Sequence, residues 1–360
     1  MQYHINIRKA EQSKLPTVDF NNLPFGRTFA DHMFTAEYRD GEWTDCRIEP
    51  FGDLQLSPAN MSIHYGQSIF EGMKAHRADD GRILIFRPEA HATRLRNSAN
   101  RMGMPDFPTD LFHQAVEALV GLDAAWVPSL QGTSLYIRPF IFAADEFLGV
   151  RPSDTYKFMV ITGPAGAYYN APVKLFVSQK YVRAFAGGTG EAKAAGNYAS
   201  TLMAVKEIRA QGYDQLLWLD GVEHKYIHEC GTMNMFFVIN GVVVTPALNG
   251  MILKGVTRDS IITLLNDKNI PTEVRDVTID EIADAYRNGA LEEVFGSGTA
   301  AVVQHVSHIK FNDLIMDLPP VEGRTISNML YGEIMGLRTG SVTDTYDWVH
   351  TVNVAESVVN

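Results

Sequence analysis

Apolar residues recur along this chain with two periods, and the segments they mark predict strands and helices in mixed order. Arg82 to Phe86 (RILIF) reads as a short apolar strand closed by Arg87-Pro88, followed by helical patterning over His91 to Met102 and Leu111 to Leu122. Ser134 to Ala143 and Tyr156 to Thr162 read as strands. Gly163-Pro164-Ala165-Gly166, with Pro172 soon after, is dense turn chemistry and predicts a linker near the midpoint. Beyond it come a strand at Val173 to Ser178 and a helix at Asn197 to Gln211, on which Tyr198, Leu202 and Val205 share a face and Gly212 supplies the stop. A strand at Gln215 to Leu219 leads into a hairpin at Asp220-Gly221. A second hairpin turns at Asn240-Gly241, a strong type I′ signal. Helices are expected at Val256 to Asn266 and Ile279 to Arg287. There is no internal repeat. The order predicts an α+β fold of two domains, too rich in hairpins for a purely parallel sheet.

Composition narrows the class. With 46% apolar and 20% charged residues the chain can bury a real core, and 360 residues suit about two domains. The formal charge of −11 argues against a nucleic-acid surface, which needs clustered Lys and Arg, but leaves room for a small anion in a local positive pocket. Two distant cysteines, Cys46 and Cys230, make no disulfide framework, and no apolar run is long enough to cross a bilayer. Met1 to Pro16 lacks the apolar core of a secretory signal. A cytoplasmic enzyme is the expectation.

Four constellations carry candidate chemistry. Gly187 to Gly196 (GGTGEAKAAG) fails the P-loop spacing, because Ala192 and Ala194 flank Lys193 where Gly and Ser or Thr belong. What remains is a lysine among small residues, readable as a nucleophilic amine or as a solvated loop lysine. His224, His228 and Cys230 could share a strand face, but over too long a span for one metal, so no metal site is assigned. Glu229 then points the other way, and a buried carboxylate there would need a cationic partner. Phe295-Gly-Ser-Gly-Thr-Ala300 could offer hydroxyls and N–H groups to an anion, or be an ordinary turn. Gly255-Val256-Thr257 opens a helix whose N-terminus could do the same.

Taken in order, these pieces resemble the branched-chain amino acid aminotransferases, fold-type-IV pyridoxal 5′-phosphate enzymes. The resemblance runs through His64-Tyr65-Gly66, Phe70-Glu71-Gly72-Met73-Lys74, Leu135-Tyr136-Ile137-Arg138-Pro139, Lys193-Ala194-Ala195-Gly196-Asn197-Tyr198, Gly231-Thr232-Met233-Asn234 and Gly296 to Ala301. It implies a smaller N-terminal α/β domain (1–165), an interdomain loop (166–174) and a larger C-terminal domain (175–360) carrying the cofactor lysine, with the active site between the domains. By the same resemblance Lys193 is the catalytic, cofactor-bearing lysine. Glu229 partners the pyridine nitrogen, and Tyr198 the phenolic oxygen. Arg94, Val256, Thr257, Ser297 and Thr299 hold the phosphate. Tyr65, Phe70 and Tyr168 form the substrate's apolar wall, Tyr168 in a gating loop. Tyr136, Arg138 and the N–H groups of Thr299 and Ala300 meet carboxylates.

The resemblance further implies transamination of leucine, isoleucine or valine with 2-oxoglutarate to give glutamate. It implies a homodimer, with Phe147 to Val150 at the partner. A D-amino-acid aminotransferase, an aminodeoxychorismate lyase of the same fold type and a non-catalytic cofactor-binding protein are the alternatives. The chain departs from the family pattern at His228 and Cys230. Ala300-Ala301-Val302-Val303 also lacks the CxxC pair of animal members.

Overall fold

The computed structural model describes residues 2–166 and 171–354, so the expected gate residue Tyr168 lies outside the described residues. The chain divides into two compact units, residues 1–168 with 192–196 and 336–360, and residues 169–191 with 197–335.

The first unit is built on a nine-stranded sheet. Strands His32–Arg39, Tyr156–Ala165, Ser134–Ala143, Met73–Arg77 and Ile83–Phe86 lie side by side, and Val349–Thr351 adds the edge after Ile83–Phe86. One sheet face packs helices Pro88–Arg101 and Thr109–Leu122 through Leu95, Ala99, Leu111, Phe112 and Leu119, all fully buried. In the second unit a strand ring closes. Ile227–Cys230, Gln215–Leu219, Val173–Val177, Val302–Phe311, Leu291–Gly298 and Met233–Ile239 pair in turn, and the last pairs back onto the first. Closure turns alternate side chains of these six strands inward, while Val242–Pro246, Thr272–Arg275 and Leu314–Asp317 extend the sheet outside the ring. The fold is α+β, as the element order predicts.

Several expectations need correction. Tyr156–Ala165 does not stop at Thr162: Gly163, Pro164 and Ala165 pair with Tyr136, Leu135 and Ser134. Gly163 is there for space, since a Cβ on it would lie 2.1 Å from the Thr28 carbonyl oxygen. The helix expected over 197–211 is two, Ala195–Ala199 and Leu202–Arg209. The second buries Ala204 and Ile208, while Leu202 is exposed, so the inner face is not the one expected. The partition at 166–174 also misplaces Lys193. Its peptide oxygen accepts from the Phe70 N–H at 3.0 Å, Ala194 bridges Ile69, and Ala192 and Ala194 are buried in the first unit's core. Local backbone pairing, rather than sequence position, puts the segment there.

Candidate functional site

In the first unit, the resemblance motifs converge on one sheet face. Strand Ser134–Ala143 presents Tyr136 and Arg138 two residues apart, hence on the same side. Arg138 Nη2 donates to the Tyr136 hydroxyl at 2.8 Å, and its guanidinium lies 4.5 Å from the Phe70 ring centroid. Lys193 Nζ lies 4.8 Å from that same centroid. Gly72 makes room, because a Cβ there would sit 2.3 Å from the Tyr136 hydroxyl. An amine and a guanidinium thus share one aromatic floor.

Arg94, on helix Pro88–Arg101, is held by a residue that spacing does not single out. Glu71 is fully buried and accepts from Arg94 Nε (2.6 Å) and Nη2 (2.8 Å), His91 Nδ1 (2.7 Å) and the Gly72 N–H (3.2 Å). Burial alone would raise the Glu71 pKa, but Arg94 and His91 outweigh it and hold the carboxyl well below the usual range. Burial lowers the His91 pKa, with Glu71 pulling the other way. The next turn of the helix brings Ser98, whose Oγ accepts from the Lys193 N–H at 3.0 Å.

In the second unit, register does the assembling. Asn234 stands opposite Glu229 on one side and Ser297 on the other, which puts three side chains on one face of the ring. Glu229 is buried, pairs with Arg183 Nη2 at 3.2 Å and accepts from the Leu253 N–H at 2.6 Å. Arg183 Nη2 also donates to the carbonyls of Gly190 and Met251. Asn234 Nδ2 donates to the Leu253 carbonyl at 3.0 Å and lies against Gly255, the N-cap of helix Val256–Asp267. The buried Val256 and Thr257 therefore open that helix beside the carboxylate. Ser297 Oγ is buried with no hydrogen-bond partner among the described residues, a costly state that a phosphate oxygen would relieve. Thr299 and Ala300 lie half-buried in the turn that follows, and Tyr198 lies on helix Ala195–Ala199. Tyr65 ends helix Met61–Tyr65 with its ring exposed.

Residues 68–309 match the family described as amino-transferase class IV. The branched-chain-amino-acid aminotransferase 2 of Bacillus subtilis (strain 168) is 46% identical over 94% of this chain and 95% of its own. The chain belongs to the branched-chain aminotransferases of class IV. Enzymes of this class use pyridoxal 5′-phosphate. The crystal structure of the Escherichia coli branched-chain amino acid aminotransferase is similar at a TM-score of 0.73 and 28% identity, covering 90% of this chain and 99% of that one. The PLP (holo) form of the Thermobaculum terrenum enzyme shares the fold at a TM-score of 0.71 and 23% identity, over 91% and 100%.

Sequence reading missed Glu71, His91, Ser98, Arg183 and Asn234 as site-building residues. Glu71 and Asn234 sit inside the family motifs, so the signal was present for those two. Arg183 carried none beyond the expectation that a buried Glu229 needs a cation. His228, on the strand beside Glu229, is buried with neither ring nitrogen partnered among the described residues, and burial lowers its pKa.

Proposed function

We propose that this chain moves the amine of leucine, isoleucine or valine to 2-oxoglutarate in two half-reactions, as a homodimer in the cytoplasm. The observation that carries the reading is the grouping of Lys193, Phe70, Tyr136 and Arg138 on one face. When bound, pyridoxal phosphate supplies the electron sink that makes a substrate Cα proton removable. Glu229, paired with Arg183, holds the pyridine nitrogen, and Tyr198 meets the phenolic oxygen. The phosphate is taken by Arg94, the N–H groups of Val256 and Thr257, and the hydroxyls of Ser297 and Thr299. Glu71 and His91 leave Arg94 in one orientation. Lys193 Nζ accepts the Cα proton in one half-reaction and returns it in the other.

Tyr65, Phe70 and Tyr168 exclude water from the branched side chain. Tyr136, Arg138 and the Thr299 and Ala300 N–H groups orient carboxylates, including the second carboxylate of glutamate. Support for the dimer comes from exposed apolar side chains on neighbouring segments, Ile63 and Tyr65 with Phe147, Leu148 and Val150. Met61 and Phe147 tie those segments together through backbone bonds to Asp145 and Ala59.

The visible spectrum of protein purified with pyridoxal phosphate tests the reading. L-Leucine should shift the band, D-alanine and aminodeoxychorismate should not, and Lys193→Ala should lower turnover by roughly 10²–10⁴-fold or more. A response to D-alanine alone, or a Lys193→Ala variant with full turnover, contradicts it.

A further inference from the structure

Lys193 owes its place to its backbone. Beside strand Ser68–Phe70, Ala194 bridges Ile69, and the Phe70 N–H donates to the Lys193 carbonyl at 3.0 Å. Ala192 and Ala194, on either side of the lysine, are buried in the first unit's core. The lysine side chain instead runs out over the Phe70 ring, with Nζ 4.8 Å from its centroid. A strand thus holds the carbonyl side of this residue. A helix holds the amide side, where the Lys193 N–H donates to Ser98 Oγ at 3.0 Å, and Ser98 is 2% exposed. Of these holds only the last is made by a side-chain acceptor, so it can be removed without breaking the backbone pairing.

Ser98 stands four residues after Arg94 on helix Pro88–Arg101, on the same face and about 6 Å further along the axis. His91, three residues before Arg94, shares that face, and both donate to the buried Glu71 carboxylate. One face of one helix therefore carries the arginine read as a phosphate ligand and the acceptor that fixes the lysine's peptide. The Glu71 contacts fix the first of these and the Ser98 hydroxyl the second.

We propose that Ser98 is a positioning residue that spaces the Lys193 amine from Arg94, so that a cofactor gripped by its phosphate meets the amine at one distance. The proposal rests on the reading of Lys193 as the catalytic amine and Arg94 as a phosphate ligand. Ser98 acts through the lysine's peptide and not on substrate. A reacting group misplaced by about 1 Å costs up to ~10²-fold in rate. The side chains assigned to substrate, Phe70, Tyr136 and Arg138, keep their places when the Ser98 hydroxyl is lost, so the cost falls on kcat and not on KM.

The full chain, with and without pyridoxal phosphate, is tested in three variants. Ser98→Ala removes the acceptor, Ser98→Cys keeps a side chain of similar shape with a weak acceptor, and Ser98→Thr keeps the hydroxyl. Hydrogen exchange at the Lys193 amide is measured in cofactor-free protein, beside melting temperature and the kcat and KM of holoenzyme for L-leucine. The amide should exchange roughly three- to tenfold faster in Ser98→Ala and Ser98→Cys, as expected for one lost hydrogen bond, and at the unaltered rate in Ser98→Thr. In the first two variants kcat should fall roughly 10- to 100-fold with KM within about twofold, and Ser98→Thr should keep most of the turnover. Unchanged exchange or full kcat in Ser98→Ala overturns the proposal. So does turnover that follows melting temperature across the variants rather than protection of the amide, because Ser98 then serves packing alone. Lys193→Ala separates the two failures. Full turnover there overturns the reading of the lysine itself, whereas lost turnover there beside fully active Ser98 variants overturns only the role of Ser98.

Discussion

Four donors meet the buried carboxylate of Glu71, and two of them belong to Arg94. Removing one member of a buried ionic group leaves the others desolvated and unpaired. Glu71→Ala should lose about 3–5 kcal/mol in chemical denaturation, together with affinity for pyridoxal phosphate. A variant with unchanged denaturation midpoint and cofactor affinity contradicts the role given to Glu71. Because the Glu71 pKa is lowered by folding, its contribution is complete above the ordinary carboxylate range and is lost only as pH falls toward the depressed value.

Lys74 makes the opposite case. Burial, with the Arg338 charge nearby, pushes its ammonium down to about 7. The unfolded chain keeps that proton to ~10.4, so unfolding takes up a proton between those values and stability rises with pH across that window. Lys74→Met should flatten the rise in denaturation midpoint between pH 7 and 9, and a slope that survives unchanged assigns it to another group. At this scale Lys193 and Glu229 stand out in the sequence because the chemistry proposed for them needs those residue types inside recognisable motifs. Arg183 and His91 do not, because their importance lies in what the fold sets against them, 46 and 20 residues away in the chain.

Elements whose signal is local came through intact. Asn240-Gly241 turns with φ of 48° and 75°, the two left-handed residues that a two-residue hairpin requires, and Gln215–Leu219 and Ile279–Arg287 keep their expected bounds. Gly163-Pro164 misled because both residues also serve inside a strand. Thr28 approaches too closely for a side chain at Gly163. Past Ile161 the neighbouring strand His32–Arg39 no longer pairs, so Pro164 breaks no ladder on that side. Gly163→Ala should therefore cost about 1–3 kcal/mol, the range for forcing atoms into filled space. An unchanged denaturation midpoint would show that the Thr28 carbonyl moves aside freely. The face expected from Tyr198, Leu202 and Val205 failed for another reason. A period can be read only if the helix is continuous, and it breaks at Ser200-Thr201.

For the whole molecule, a charge of −11 coexists with a site that must hold a phosphate and carboxylates, and the reconciliation is placement. Arg94, Arg138, Arg183 and Lys193 are half-buried, whereas much of the acidic excess is solvated. Net charge described the exterior alone. Assembly is the second property at this scale. If the proposed dimer forms through this surface, Leu148→Asp with Val150→Asp should convert it into monomers in sedimentation and depress turnover, since both side chains are exposed, at 66% and 89%. Sedimentation identical to the unaltered protein would place the contact elsewhere. The two-unit organisation itself was only half legible, because membership depends on backbone pairing over long separations.

The same pairing has a consequence for how the protein is made. The first unit's sheet takes its edge strand from Val349–Thr351, which bonds to Ile83–Phe86. A ribosome will have synthesised all of the second unit before that strand exists. Throughout that interval the nascent chain carries Ile83–Phe86, four buried apolar residues in the finished protein, with one side unpaired. The first unit's sheet is therefore finished only after every strand of the second unit has been made, and the second unit is the one whose sheet can be completed first during translation.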